Sequence, residues 1–247
     1  MTAESMNRAD TFSPSFFEIL KKAEEKYFWF NVRRKWIFDT IAKFIPPPAR
    51  ILEVGCGTGN VSSYLAGQGY DVTGCEYYDE ALSMAWPGFE KIKGDATNLP
   101  FKDHTFDIVC LFDVIEHFDD DVVPLREAKR VVKKNGIITI TVPAREELWS
   151  YVDDEAYHKR RYTRNSLARV LSDSGLAPLL MDYMFMTLYY PIKYLRRKKR
   201  VLVSEHFRIN PFANRFLGLL FDAERNISRF LPLPLGTSLI AVAKKSH

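Results

Sequence analysis

The sequence ILEVGCGTGN at residues 51–60 decides the fold. It begins with the end of an apolar run and continues with Gly55, Gly57 and Gly59 at every second position. Glycine has no Cβ, so a chain that carries it here can turn sharply and lie close to a ligand. The free N–H groups at the start of a following helix suit a carboxylate or a phosphate. The segment therefore predicts a strand, a glycine-rich turn and a helix that bind a cofactor.

Apolar runs alternate with helical patterns on both sides of this turn. The predicted strands are Arg50–Val54, Tyr70–Cys75, Glu90–Lys93, Phe106–Phe112, Ile137–Val142, Leu176–Phe185 and Ser238–Lys244. The predicted helices are Asn60–Gly67, Asp79–Ala85, about Asp119–Val132 with Asn135-Gly136 as its stop, and Thr163–Ser174 with Thr163 as N-cap. This alternation is typical of a mostly parallel sheet covered by helices on both faces. The expected fold class is α/β, with a Rossmann-like sheet.

The sequence predicts a single domain with two additions to its core. Apolar residues recur at helical spacing over 14–45, and Pro46-Pro47-Pro48 ends that pattern. The predicted parts are an N-terminal helical cap (1–47), a core (48–186 and 237–247) and a helical lid insertion (187–236). One amphipathic helix of the insertion has an apolar face formed by Phe212, Phe216, Leu220, Ala223, Ile227 and Leu231.

The positive charge of the chain is concentrated in one segment. The formal net charge is +4, and KYLRRKKR at 193–200 alone contributes +6, which leaves −2 for the remainder. We therefore expect no nucleic-acid-binding face. The basic segment and its aromatic neighbours suit an anionic membrane surface, although a solvated charge run is the alternative.

Cysteine usage predicts a reducing compartment. Cys56, Cys75 and Cys110 are widely spaced and form no CxxC pair, so we expect neither a disulfide framework nor a metal site. The first ten residues are polar and do not resemble a signal peptide. These features predict a cytoplasmic protein, with peripheral contact at the inner membrane surface as a further possibility.

Acidic residues near the glycine turn distinguish between cofactors. A dinucleotide-binding motif starting at Gly55 would require glycine at position 60, where Asn60 stands. Glu53 would also repel a pyrophosphate, since both are anions. Glu76 can accept hydrogen bonds from ribose hydroxyls, and Asp95 can accept one from an adenine amino group. A doubly wound sheet would gather these acids along one crevice, which favours a cofactor with a cationic amino-acid end.

Four motifs, EVGCGTGN (53–60), Glu76, GDATNLPF (94–101) and FDIVCLFDVIEHFDDD (106–121), resemble the type 11/type 12 class I S-adenosylmethionine-dependent methyltransferases. The resemblance covers about residues 48–180. It implies a seven-stranded sheet with one antiparallel edge strand, and S-adenosyl-L-methionine as cofactor with S-adenosyl-L-homocysteine as product. The cofactor contacts that it implies come from Glu53, Gly55, Gly57, Glu76 and Asp95, and it places Phe112 and Asp113 beside the methionine moiety. Cys56, Gly59 and Ala96 of the same motifs are further candidate contacts. Tyr77 departs from the family pattern, in which smaller residues are common at this position, and is a candidate to pack on the adenine face.

Two further segments resemble bacterial methyltransferases encoded with glycan or cell-envelope pathways. YFWFNVR (27–33) is similar to a helix that caps the cofactor in that subgroup, which makes Trp29 and Arg33 candidate contacts. The alternative is an aromatic face packed on the sheet. HKRRYT (158–163) lies on the substrate side, where Arg161 and Tyr162 become candidates for substrate binding.

The resemblance implies methyl transfer by in-line displacement to a small-molecule, glycan or lipid-linked acceptor. The enzyme then mainly supplies alignment and a dry site. If the acceptor must lose a proton, His158 and His117 are the candidate bases, since histidine titrates near neutrality. His117 has a structural alternative. Two other functions remain open at this point, namely a non-catalytic S-adenosylmethionine-binding protein and an NAD-dependent oxidoreductase.

Overall fold

The computed structural model describes residues 12–195 and 209–246, and its centre is one seven-stranded sheet. The strand order is β3-β2-β1-β4-β5-β7-β6. The strands are β1 (Arg50–Val54), β2 (Asp71–Glu76), β3 (Glu90–Lys93), β4 (Phe106–Phe112), β5 (Val132–Pro143), β6 (Leu176–Met184) and β7 (Ser238–Lys245). The predicted α/β class, with a mostly parallel Rossmann-like sheet, is confirmed.

The antiparallel strand is not at the edge of the sheet, so that expectation is wrong. β7 pairs antiparallel with both β5 and β6, which makes it the second strand from the edge. Its residues 239–243 form an unbroken apolar run that is buried, as an interior strand requires. The edge position belongs to β6, which is largely half-buried or exposed and contains Pro178.

The helix after β4 starts later than predicted and ends within one residue of the predicted Val132, but Asn135-Gly136 is not its stop. It spans Val122–Val131, and β5 begins at once at Val132, so Asn135 and Gly136 lie within the strand. A Cβ on Gly136 would lie 2.5 Å from the carbonyl oxygen of Asp107 on β4. The glycine therefore allows two strands to approach closely, and it is not a helix stop.

Helices cover both faces of the sheet. They are α1 (Pro14–Lys26), α2 (Phe28–Ala42), α3 (Asn60–Gly67), α4 (Asp79–Ser83), α5 (Val122–Val131), α6 (Tyr151–Glu155), α7 (Arg164–Asp173), α8 (Tyr189–Leu195) and α9 (Pro211–Ser228). The predicted N-cap Thr163 is confirmed, since its side chain accepts a hydrogen bond from the Ser166 N–H at 3.1 Å. None of these described helices is both long and apolar enough to cross a membrane.

The N-terminal cap consists of two helices where one helical region was expected. Tyr27 has an extended backbone and separates α1 from α2. α2 packs against the sheet through Trp36, Ile37 and Ile41, all buried. α1 precedes α2 and packs against α4. It also reaches the glycine turn, where Glu24 accepts a hydrogen bond from the Thr58 hydroxyl at 2.6 Å.

The amphipathic helix of the insertion is present as α9, and its apolar face is exposed. Phe221 and Glu224 point inward, where the Phe221 ring stacks on Phe28 of α2 at 5.3 Å between centroids. Its exposed apolar residues are Phe212, Phe216, Leu219, Leu220 and Ile227. We call this set the apolar face of α9. The basic segment at 196–200 lies outside the described residues.

Candidate active site

The glycine turn leaves room for a ligand at one position. Gly55, Gly57 and Gly59 have φ values of +67°, +55° and +75°, which favour glycine. A Cβ on Gly55 would lie 2.7 Å from the Val114 side chain, and one on Gly59 would overlap the Phe89 ring. At Gly57, none of the described residues places an atom within 4 Å of such a Cβ. The turn is therefore packed at its two ends and open in the middle.

Glu76 ties this turn to the end of β2. One carboxylate oxygen accepts the Gly57 N–H at 2.7 Å, and the other accepts the Tyr77 and Tyr78 N–H groups at 2.8 and 3.0 Å. Burial raises the pKa of the Glu76 carboxyl above its usual value. The predicted ribose-binding acid thus lies directly beside the open glycine, where it also holds the turn in place.

Glu53 is buried beneath the same turn. Its carboxylate accepts a hydrogen bond of 2.5 Å from the Ser62 hydroxyl of α3. Burial raises its pKa from 4.5 to about 7, and the nearby Arg33 and the Ser62 hydrogen bond oppose that shift only in part. Cys56 is also buried in the turn, and all three cysteines are free.

The predicted adenine-side residues follow β3. Asp95 accepts hydrogen bonds from the Thr97 N–H and hydroxyl, each at 2.8 Å, and is half-buried like Ala96. The Gly94 N–H donates to the Glu76 carbonyl at 3.0 Å, so the chain before Asp95 lies against the end of β2. Tyr77 is 46% exposed at this edge. These residues lie near the carboxyl ends of β2 and β3, beside Glu76, as the doubly wound topology predicts.

Arg33 of the cap lies over the ends of β4 and β5. Its guanidinium donates to Asp113 at 2.6 Å and to the Thr141 hydroxyl at 3.0 Å. The Trp29 ring lies 5.2 Å from the guanidinium carbon, and the Phe112 ring lies 5.9 Å from it. Trp29 also stacks on Phe185, so its aromatic face packs within the fold. The four predicted residues therefore meet at one place beside the glycine turn, and cofactor contact remains a prediction for each.

Sequence reasoning missed Glu24 of α1. Its buried carboxylate accepts hydrogen bonds from the Thr58 hydroxyl at 2.6 Å and the Trp86 indole N–H at 2.9 Å, and burial raises its pKa. Glu24, Glu53 and Glu76 thus place three buried carboxyl groups around the glycine turn. Such a surface suits a cationic group, so the residues present fit the amino-acid end of S-adenosylmethionine.

His117 and His158 lie together beyond the carboxyl end of β4. Their ring centroids are 5.0 Å apart, and the Nδ1 atom of His158 is 2.9 Å from a carboxylate oxygen of Asp153. Burial, and then the neighbouring His158, lower the pKa of His117 to about 4. Glu116 is fully buried beside both rings, and burial together with Asp113 raises its pKa well above the usual value. The two predicted bases are therefore brought together, with a glutamate that was not predicted.

Arg161 and Tyr162 have partners within the protein. Arg161 donates to both oxygens of Asp153 at 2.7 and 3.0 Å and to the Ala144 carbonyl at 3.0 Å. The Tyr162 hydroxyl donates to Asp121 at 2.8 Å, and the ring is 1% exposed. These contacts give both side chains a structural role, and their predicted contact with a substrate stays untested.

Comparison with known proteins identifies the domain. Residues 52–140 match the model of a family described as Methyltransferase domain. A "Probable S-adenosylmethionine-dependent methyltransferase" of Mycobacterium tuberculosis is 28% identical over 140 residues, which are 55% of this chain and 51% of that protein. These similarities support a class I S-adenosylmethionine-dependent methyltransferase domain at residues 52–140.

Two further similarities agree with this family. The demethylmenaquinone methyltransferase of Corynebacterium kroppenstedtii is 33% identical over 110 residues, 42% of this chain and 47% of that protein. The crystal structure of a TehB-like methyltransferase from Corynebacterium glutamicum has a TM-score of 0.57 at 18% identity and covers 95% of this chain and 100% of that one, which shows a shared fold. The chain spans about half the length of the curated relatives it matches. Its resemblance to the glycan and cell-envelope subgroup stays a prediction.

Proposed function

We propose that this protein transfers a methyl group from S-adenosylmethionine to a small-molecule acceptor by in-line displacement. The observation that carries the proposal is the open position at Gly57, bordered by Glu76 and the other buried carboxyl groups of the turn. A relative that acts on demethylmenaquinone supports an acceptor of small size.

Each predicted contact has a separate task in this proposal. Glu76 accepts from the ribose hydroxyls, and Asp95 accepts from the adenine amino group. Glu53 and Glu24 provide negative charge near the cationic amino group. Arg33 lies over the ends of β4 and β5, where the cap excludes water from the reacting groups. Alignment and exclusion of water are the main requirements of displacement at a sulfonium centre.

Binding and turnover test the proposal together. Isothermal titration of the purified chain with S-adenosylhomocysteine, S-adenosylmethionine and NAD should give saturable binding with the first two alone. Formation of S-adenosylhomocysteine with a panel of quinol, sugar and lipid-linked acceptors then measures transfer. Binding of NAD in place of both sulfur compounds would contradict the proposal. Binding without turnover on any acceptor would favour the non-catalytic alternative.

We also propose that the insertion brings the acceptor site to an anionic membrane surface. The apolar face of α9 includes Phe212 at 86% and Phe216 at 65% exposure, and Phe230 after the helix is 84% exposed. Tyr190 and Tyr194 of α8 are exposed as well. The six positive charges at 193–200 adjoin α8 in the sequence, and each contributes about 1 kcal/mol beside an anionic surface. Because α9 packs on α2, the same insertion adjoins the cap and can act as a lid.

Co-sedimentation with vesicles tests the membrane contact. Wild-type protein should pellet with vesicles of anionic lipid at low salt, less at physiological salt, and not with neutral vesicles. Two variants should pellet less than the wild type. One is the double change Phe212→Ser/Phe216→Ser, and the other changes all five basic residues of 196–200 to Ser. Leu179→Ser is the matched control, because Leu179 is an exposed leucine on β6. Equal pelleting of all four proteins would contradict the contact, as would none by the wild type.

A further inference from the structure

Three side chains that can ligate a metal converge beyond the ends of β4 and β5. Glu116 and His117 lie in a short 3-10 helix (Ile115–His117), and His158 lies in the loop between α6 and α7. One ligand atom from each lies within 4.8 Å of the other two. The nearest carboxylate oxygen of Glu116 is 4.0 Å from Nε2 of His158.

Glu116 supplies a second and independent observation. Its side chain is fully buried, and neither carboxylate oxygen has a hydrogen-bond partner among residues 12–195 and 209–246. A buried carboxyl group without a partner is costly, and most buried polar groups in proteins are hydrogen-bonded. A cation between the three side chains would give at least one of these oxygens a partner.

Asp153 orients His158 toward this position. The Nδ1 atom of His158 is 2.9 Å from one oxygen of Asp153, and Arg161 donates to both oxygens of the same carboxylate. An ionised carboxylate only accepts hydrogen bonds, so His158 donates from Nδ1 and keeps the lone pair of Nε2 on the side of Glu116. Histidines that bind metals are commonly held by a carboxylate in this way.

The two ligand-bearing segments are also fastened to each other. The Lys159 N–H donates to the Glu116 carbonyl at 2.8 Å. The Arg160 guanidinium donates to the carbonyl groups of Phe118 and Asp119 at 3.0 and 2.8 Å. Hydrogen bonds from Lys159 and Arg160 to the backbone at and after Glu116 therefore hold the three side chains in a nearly formed site.

We propose that Glu116, His117 and His158 bind one divalent first-row transition metal ion, with zinc as the reference ion. Two histidines and one carboxylate form a known ligand set for such ions and leave coordination positions open. Bonds of about 2.0–2.1 Å place ligand atoms about 3–3.5 Å apart, so the side chains need to close by roughly an ångström. The expectation of no metal site relied on cysteine spacing and did not consider this set.

The role of the ion rests on the proposed function. An acceptor hydroxyl or phenol oxygen would take an open position, where a cation makes its proton more acidic. The acceptor would release that proton to water and form the new O–C bond as the C–S bond breaks, which leaves the electron pair on sulfur. The site therefore favours an oxygen acceptor over nitrogen or carbon.

Metal binding to the full chain tests the site without measuring catalysis. After treatment with a chelator and its removal, the protein is titrated with Zn²⁺ by calorimetry and with Co²⁺ by visible absorption. We expect one equivalent to bind, and Glu116→Gln or His158→Gln to weaken binding at least 30-fold. His104→Gln is the matched control, because the His104 ring contacts the Val132 carbonyl away from the cluster and its loss should leave affinity unchanged.

Circular dichroism and S-adenosylhomocysteine binding show whether each variant is folded. A wild-type protein that binds no metal would overturn the inference, and so would a folded Glu116→Gln protein with unchanged affinity. S-adenosylhomocysteine binding without metal binding rejects the metal site alone. Metal binding without S-adenosylhomocysteine binding rejects the proposed function and leaves the site standing.

Discussion

Glu53 predicts how the stability of this protein depends on pH. The side chain is 3% exposed, and burial raises its pKa from 4.5 to about 7. Below about pH 4.5 the carboxyl group is protonated in both the folded and the unfolded chain. Between about pH 4.5 and 7 the unfolded chain gives up this proton while the folded chain keeps it, so unfolding releases a proton. The contribution to stability is therefore full below pH 4.5 and is lost as the pH rises through 7.

The size of the effect follows from the shift in pKa. One unit of pKa corresponds to about 1.4 kcal/mol, so the loss from Glu53 reaches about 3 kcal/mol above pH 7. Glu53→Gln replaces the carboxyl group by an amide that is neutral at every pH and can still bond to the Ser62 hydroxyl. Relative to wild type, the free energy of unfolding of the variant should therefore increase by about 3 kcal/mol between pH 4.5 and 8.

Urea unfolding followed by tryptophan fluorescence at several pH values measures this difference. Glu24 and Glu76 also have raised pKa values, so the wild-type profile alone does not isolate Glu53. The difference between variant and wild type does isolate it. Glu80→Gln, at an exposed position on α4, is the control and should keep the wild-type profile. If the profiles of Glu53→Gln and wild type ran parallel, with a constant offset, the assignment of this titration to Glu53 would be refuted.

Two further predictions concern the glycine turn and its acid. Gly57→Val should abolish S-adenosylhomocysteine binding in calorimetry while circular dichroism still shows a folded protein, with a lower melting temperature because valine is strained at a φ of +55°. Gly59→Ala should also lower the melting temperature, because its Cβ meets an aromatic ring. Unchanged affinity in folded Gly57→Val would contradict the open position. Glu76→Gln weakens charge-assisted hydrogen bonds worth about 1.5–3 kcal/mol each, so affinity should fall about tenfold or more. A change of less than twofold would show that Glu76 only holds the turn.

Much of the fold could be predicted because its signals are local. The interior parallel strands β1 and β4 read as short apolar runs, and their predicted limits agree with the structure. The prediction of a helix stop at Asn135-Gly136 was wrong, because Gly136 is needed for close contact with Asp107 on the neighbouring strand, which is distant in sequence. The position of β7 in the sheet depends likewise on which strands pack together, and no local pattern encodes that order.

Some residues of the candidate site could likewise be predicted from local sequence, and others could not. Gly57, Glu53 and Glu76 could be predicted because the turn and the strand ends carry a recognisable pattern. Glu24 could not, since it stands among charged neighbours in an amphipathic helix and only tertiary packing buries it rather than Glu25.

The cap connects the two halves of the site physically. Asp113 bonds to Arg33 of α2, and it lies three residues before Glu116, so the loop that follows β4 contacts the cap at one end and carries the histidine cluster at the other. The same guanidinium favours the ionised forms of Glu53 and Glu116, and therefore its electrostatic influence reaches both the glycine turn and the cluster. A displacement of α2 would withdraw that positive charge from both places at once. α2 thus connects the glycine turn and the histidine cluster electrostatically through one buried residue, Arg33.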